Sequence, residues 1–209
     1  MKYEITKISR NQSSREGGRP KLIVLHTTEG PDGKNDLLNL GGWFDNPNAG
    51  VSSHTANNVR GMAARYVEDE KKSWAACNLN PVALNLEQIA YASFSKDTWM
   101  RDRHLQLKDT AVQIAAWSEK WGIPIQRGKN DGSTCTRPGV VQHKDLGSAG
   151  CGHSDCGPGY PMRYVMALAQ LIQLEHFQNK GNTRTAKRKR RKINRMRKAY
   201  GLKPFIAPK

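Results

Sequence analysis

The segment Gly152-His153-Ser154-Asp155-Cys156-Gly157-Pro158-Gly159-Tyr160-Pro161 constrains this chain more than any other. It sets a histidine, a carboxylate and a thiol within four positions. A Gly/Pro turn then stiffens the backbone, and Pro161 suits the first turn of a helix. Two more histidines close short apolar runs far upstream, His26 after Leu22-Ile23-Val24-Leu25 and His143 after Val140-Val141-Gln142. A side chain at a strand end has its direction fixed by the sheet. Two such histidines and a carboxylate on a rigid turn suit a three-ligand metal site whose fourth position stays open, the arrangement that hydrolytic zinc uses. Zinc so held lowers the pKa of a water molecule and polarises a carbonyl.

The rest of the chain reads as strands alternating with helices. Leu22–Leu25 is a continuous apolar run, as expected of a strand buried on both faces. Leu37, Leu40 and Phe44 at helical spacing predict a short helix over 36–44. Residues 51–56 and 63–67 read as a hairpin across Asn58–Gly61. In a strand over 83–90, Leu84, Leu86 and Gln88 take one face, and Asn85 and Glu87 the other. A mid-strand glutamate is an uncommon structural choice. Helices are expected over 107–121, stopped by Gly122-Ile123-Pro124, and from Pro161 to about Phe177. The pattern gives an α/β fold, a central mixed β-sheet flanked by helices.

Charge divides the chain unevenly. From Gln178 to the end there are 13 basic residues and no acidic one, so most of the net charge of +16 lies in this tail. Its six consecutive cations, Lys187 to Lys192, repel one another and are expected to stay disordered or frayed in isolation. The organisation expected is a turn-rich lead-in over 1–20, a metal-hydrolase domain over 21–177 and a basic tail over 178–209. No apolar stretch resembles a secretion signal or a membrane span, so synthesis in a cytoplasm is expected, with the four cysteines as reduced thiols by default. Those cysteines (Cys77, Cys135, Cys151, Cys156) allow three pairings.

The order of strand-end His26, Val51-Ser52-Ser53-His54, Asn85-Leu86-Glu87, Val140-Val141-Gln142-His143-Lys144-Asp145 and His153-Ser154-Asp155-Cys156-Gly157-Pro158-Gly159-Tyr160-Pro161 resembles the type-2 N-acetylmuramoyl-L-alanine amidases. These share a fold with the peptidoglycan-recognition proteins and with many phage endolysins. The resemblance spans about Lys21 to Phe177. It implies one Zn2+ held by His26, His143 and Asp155. The five-position step from Asp155 to Tyr160 matches the carboxylate form of the motif, but Cys156 stands where relatives have proline and stays open as the alternative ligand.

The resemblance further implies Glu87 as general base and His153 as the group that steadies charge on the carbonyl oxygen. Thr27 and Trp74 are candidate substrate contacts, and His54 is expected to pack behind the site. Relatives carry a histidine after the tryptophan where this chain reads Ser73-Trp74-Ala75-Ala76. The implied activity is cleavage of the bond between N-acetylmuramic acid and L-alanine in peptidoglycan. A phage endolysin acting at the bacterial cell wall as a monomer is expected, with a prophage or bacterial autolysin as the equal alternative, and its tail is expected on anionic envelope polymers or lipid in preference to nucleic acid. A non-catalytic peptidoglycan-binding module of the same fold is the alternative.

Overall fold

A computed structural model describes residues 3–206; the first two residues of the expected lead-in and the last three of the expected tail lie outside the described residues. In chain order the strands are β1 (Ile5–Thr6), β2 (Gln12–Ser14), β3 (Leu22–Thr27), β4 (Thr55–Asn57), β5 (Ala63–Arg65), β6 (Lys71–Ser73), β7 (Ala83–Gln88), β8 (Lys129–Asn130), β9 (Cys135–Arg137) and β10 (Gly139–Gln142). The helices are α1 (Asp36–Phe44), α2 (Lys96–Arg101), α3 (His104–Trp121), α4 (Met162–Ile172, extended by a wide turn to Phe177) and α5 (Arg184–Lys198).

Six strands form the main sheet in the order β1-β5-β4-β7-β3-β10. Neighbours are parallel except the β4–β5 hairpin, so the sheet is mixed, as expected. Alternation along the central strands sorts their side chains. Ile23, Leu25, Leu84, Leu86 and Val140 point toward α3 and α4, where they join Leu107, Ile114, Val165 and Leu168 in the principal core. Leu22, Val24, Ala83 and Val141 point the other way, against Leu79, Leu146 and Ala149 of the loops that cover that face. On that same face α1 packs Leu37 and Phe44 over Ala56 and Ala64. One face is thus sealed by helices, while the other is roofed by α1 and loops that leave a cleft.

Three expectations change. The lead-in is built into the fold: β1 pairs in parallel with β5, β2 pairs with β6, and the Arg15 side chain is buried. The cysteines are not all reduced, because Cys77 and Cys151, 74 positions apart, form a disulfide, and Cys135 and Cys156 are free. Folding brings their Cα atoms to 6.1 Å, within bridging range, which no spacing argument reveals. Closing a loop of that size restricts the unfolded chain by about 4 kcal/mol on the chain-entropy account.

The basic tail is also ordered. Thr183 caps α5 by accepting from the Ala186 N–H (3.2 Å). Ala186, Ile193 and Phe205 then enter the principal core beside α4. Arg197 is buried too, donating to Tyr164 Oη (3.0 Å) and to the Lys203 carbonyl (2.7 Å), and Arg190 pairs with Glu175. An inward stripe at 186, 193 and 197 gives the segment a packing face that outweighs the repulsion among its cations.

Candidate active site

Register brings the predicted residues together. His26 on β3 is paired directly with Glu87 on β7, and Gln142 on β10 with Leu25, so His143, one step on, stands beside His26. Paired residues on parallel strands share a face, and this is the roofed face. All three lie at the carboxyl ends of the parallel strands, where open α/β sheets form their binding crevices.

The last loop closes the site from above. Gly157, at φ +82°, and Gly159 let it run tightly along residues 91–95; a Cβ at either position would overlap the carbonyl oxygen of Ala92 or of Phe94. Tyr160 anchors the loop by donating to Gln88 Oε1 (2.9 Å) and by meeting Trp99 edge to face. Asp155 is thereby aimed inward, where its Oδ2 accepts from the Thr27 N–H (3.2 Å). Cys156 points the opposite way, fully buried against Gln88 and the principal core.

Three donor atoms then surround one point. His26 Nδ1 and His143 Nδ1 are 3.1 Å apart, His143 Nδ1 and Asp155 Oδ1 3.1 Å, and His26 Nδ1 and Asp155 Oδ2 3.4 Å. Tetrahedral zinc with bonds of about 2.0–2.1 Å spaces its ligand atoms roughly 3.3 Å apart. The two imidazole nitrogens and the carboxylate, which turns Oδ1 to His143 and Oδ2 to His26, are thus close enough to share a divalent cation of that size, and all three residues are buried. Two imidazole nitrogens facing each other make a poor hydrogen bond unless one ring gives up its proton, whereas a shared cation uses both lone pairs. His143 Nε2 is buried without a partner among the described residues.

Electrostatics follow the crowding. Burial pushes the Glu87 carboxyl up to about 7; His26 opposes this, while Asp155 and Glu29 add to it. Its Oε2 is buried without a hydrogen-bond partner among the described residues. Burial works against charge on Asp155, but the adjoining His143 and His26 imidazoles hold that carboxyl well below the usual range. Burial, aided by His26, lowers His143. For His26 burial is overcome by Glu87 and Asp155, and its pKa rises.

Around this point lies a cleft of about 540 Å³ lined by His26, Glu87, His143, His153 and Asp155 together with Thr27, Thr28, Trp43 and Trp74. His153 is exposed and stacks on the His143 ring (centroids 4.4 Å apart, planes 16° apart). Trp74 donates from Nε1 to Ser13 Oγ (3.0 Å) at the cleft wall. The Thr27 hydroxyl is committed to Glu29 Oε1 (2.6 Å), whereas the Thr28 hydroxyl is buried without a partner among the described residues. His54 is fully buried behind the site, and burial with the Arg15 guanidinium pushes it down to about 3. The sequence reading passed over Trp43, 54% exposed at the cleft rim, and Asn85, buried behind His26. Asn85 had a signal, since it lies two residues before Glu87 on the same strand face.

Comparisons with known proteins bear on the family and the fold. The model of the N-acetylmuramoyl-L-alanine amidase family matches residues 16–159. Among solved structures, a selenomethionine derivative of AmpD superposes with a TM-score of 0.61 at 17% identity, covering 80% of this chain and 95% of AmpD. The Staphylococcus aureus hydrolase AmiA in complex with its ligand gives 0.59 at 17%, covering 88% and 89%. The endolysin N-acetylmuramoyl-L-alanine amidase LysCS from Clostridium intestinale URNW gives 0.54 at 14%, covering 78% and 92%. At such identities the likeness shows a shared fold. A search of curated proteins finds no significant match.

Proposed function

Because this chain belongs to the N-acetylmuramoyl-L-alanine amidase family, we propose that it is a zinc-dependent hydrolase cleaving the amide bond between N-acetylmuramic acid and L-alanine in peptidoglycan. The observation that carries this reading is the convergence of His26 Nδ1, His143 Nδ1 and the Asp155 carboxylate, at 3.1–3.4 Å from one another, beside a glutamate. His26, His143 and Asp155 would hold the ion, which supplies Lewis acidity at the scissile carbonyl and acidifies water.

The remaining work falls to the chain's own side chains. Glu87, with a pKa of about 7, takes a proton from the attacking water and returns it to the departing L-alanine amine. His153, on the rim over His143, donates to the carbonyl oxygen as negative charge builds there, an effect commonly worth ~3 kcal/mol. Trp74 and Trp43 offer flat apolar walls for sugar and peptide, while Thr27 lines the cleft beside the stem peptide.

The biological setting we infer is a phage endolysin, made in the host cytoplasm, acting at the cell wall and working as a monomer. This is supported by the shared fold with a protein named as an endolysin. Arg184, Lys187, Arg188, Arg191, Lys192, Arg195 and Lys198 are all exposed on one side of α5, over roughly 21 Å of helix. That ladder of cations suits attachment to anionic envelope polymers or lipid headgroups.

Purified sacculi test the reaction. Digestion should release new amino termini at L-alanine without new reducing sugars, and the reverse outcome would mean a glycosidase. Elemental analysis should find one zinc per chain, lost in His143→Ala and Asp155→Asn and kept in Cys156→Ser. Binding of sacculi with no cleavage, zinc present, would point instead to a recognition module.

A further inference from the structure

His26 meets the metal point with Nδ1, so its other ring nitrogen must carry the proton. Nε2 lies 3.0 Å from Asn85 Oδ1. We propose that Asn85 is the positioning residue that fixes His26 in the Nε2–H tautomer, and that Ser73 and His54 hold Asn85 in the orientation this requires. The inference rests on the reading above only for the identity of the ion.

The direction of each hydrogen bond can be worked out from two backbone groups at His54 that have no choice, the Asn85 N–H at Nδ1 and the Lys71 carbonyl at Nε2. The backbone N–H of Asn85 can only donate, and it points at His54 Nδ1 (3.0 Å). That nitrogen is therefore an acceptor, so the Ser73 hydroxyl, 2.8 Å from it, also gives its hydrogen there. Ser73 Oγ is left with lone pairs only. Asn85 Nδ2, at 2.9 Å, donates into them. With its amide nitrogen so committed, Asn85 must turn Oδ1 toward His26, and an oxygen can only accept.

His54 Nε2 stands between the Lys71 carbonyl (3.1 Å) and Arg15 Nη2 (2.8 Å). A neutral ring whose Nδ1 accepts carries its proton on Nε2 and donates to Lys71. Arg15 Nη2 gives one hydrogen to the Ala83 carbonyl (3.0 Å) and lies beside this nitrogen as a second donor; a proton on His54 Nδ1 would satisfy Arg15 but would leave both the Asn85 N–H and the Lys71 carbonyl unpaired.

Burial gives this relay its strength. Asn85, Ser73 and His54 are each 0% exposed, and Arg15 only 5%, so water does not replace a lost partner. A flipped Asn85 would set two N–H groups against each other, or else drive the His26 proton onto Nδ1, into the space between His143 and Asp155. Outer partners of metal-bound histidines commonly change affinity by about 10–100-fold.

The first measurement needs no variant. In wild-type protein stripped of metal with chelator, nitrogen-detected NMR of the imidazoles should show His26 protonated at Nε2. Protonation at Nδ1 would overturn the proposal. The second measurement is zinc affinity by competition with a chromophoric chelator. Asn85→Leu, which keeps the volume but cannot accept, should bind zinc about 10–100-fold more weakly and should populate the Nδ1–H tautomer.

Asn85→Asp, which still accepts from Nε2–H, should stay within about threefold of wild type and restore the tautomer. Ser73→Ala should fall between, because it frees the amide to flip. If Asn85→Leu does not fold, Asn85→Asp and Ser73→Ala decide the matter. Affinity unchanged in Ser73→Ala, with the tautomer unmoved, would remove the relay from the argument. A wild type that binds no zinc would sink the hydrolase reading, while the tautomer measurement would still judge this one.

Discussion

His26, His143 and Asp155 reach one point from two strand ends and a loop, the two histidines lying 117 positions apart. The seven exposed cations of α5 come from fifteen consecutive residues and converge on nothing. In the cleft, like and unlike charges are packed out of water and each shifts its neighbours. On α5 the cations face solvent, where each feels the others only through water and salt. The first arrangement makes chemistry that fails as a unit. The second makes a surface whose strength is graded, charge by charge. The family match ends at residue 159, so it contains the first region and omits the second.

The largest effect expected is in the cleft. Glu87→Gln should cut turnover on sacculi by ~10²–10⁴-fold while zinc content stays at one per chain, since the glutamine keeps the shape but cannot take a proton. Retained turnover would mean that the buried carboxylate is structural and that the two regions differ less than argued.

Next comes the seat of α5. Ile193 is fully buried beside α4, so Ile193→Ala should lower unfolding stability by ~2–4 kcal/mol in denaturant titrations. An unchanged midpoint would show that the helix frays independently of the body.

The same Glu87→Gln variant has a stability consequence of smaller size. A carboxyl raised from its ordinary 4.5 to about 7 in the folded state costs the fold stability as pH climbs through that window, because the unfolded chain ionises first. In chelator-treated protein the variant should therefore be more stable than wild type at pH 8, by at most about 3 kcal/mol, with the gain gone below about pH 4. Thermal melts across pH would show it, and a gain constant with pH would contradict the burial argument.

Smallest in the fold is the combined change of Arg188, Arg191 and Arg195 to Gln. Stability should move by no more than about 0.5 kcal/mol per substitution, since the three side chains are exposed. Retention on anionic vesicles or sacculi should weaken and lose part of its salt dependence. Equal retention at low salt would leave the cationic ladder without that role.

Much of the cleft was legible before any coordinates. The apolar run before His26 is β3, the alternation around Glu87 does separate Asn85 and Glu87 from Leu84 and Leu86, and α1 spans the residues expected from its spacing. These follow from local periodicity, which the chain carries with it. The short strands β1, β2 and β6 were not legible, because two or three residues are too few to show a period. The ordering of α5 was hidden by its charge: Ala186, Ile193 and Arg197 form an inward stripe in which one member is itself a cation.

The sequence by itself determined the strand-end histidines, the stiff turn carrying Asp155 and the lopsided charge, because each is a property of neighbours along the chain. Only the tertiary structure decided that Asp155 turns inward while Cys156 turns into the core, that Cys77 finds Cys151, and that a buried asparagine stands behind His26. Those outcomes depend on which surfaces meet when the sheet is roofed, and distance in space between remote residues is set by packing and register rather than by spacing.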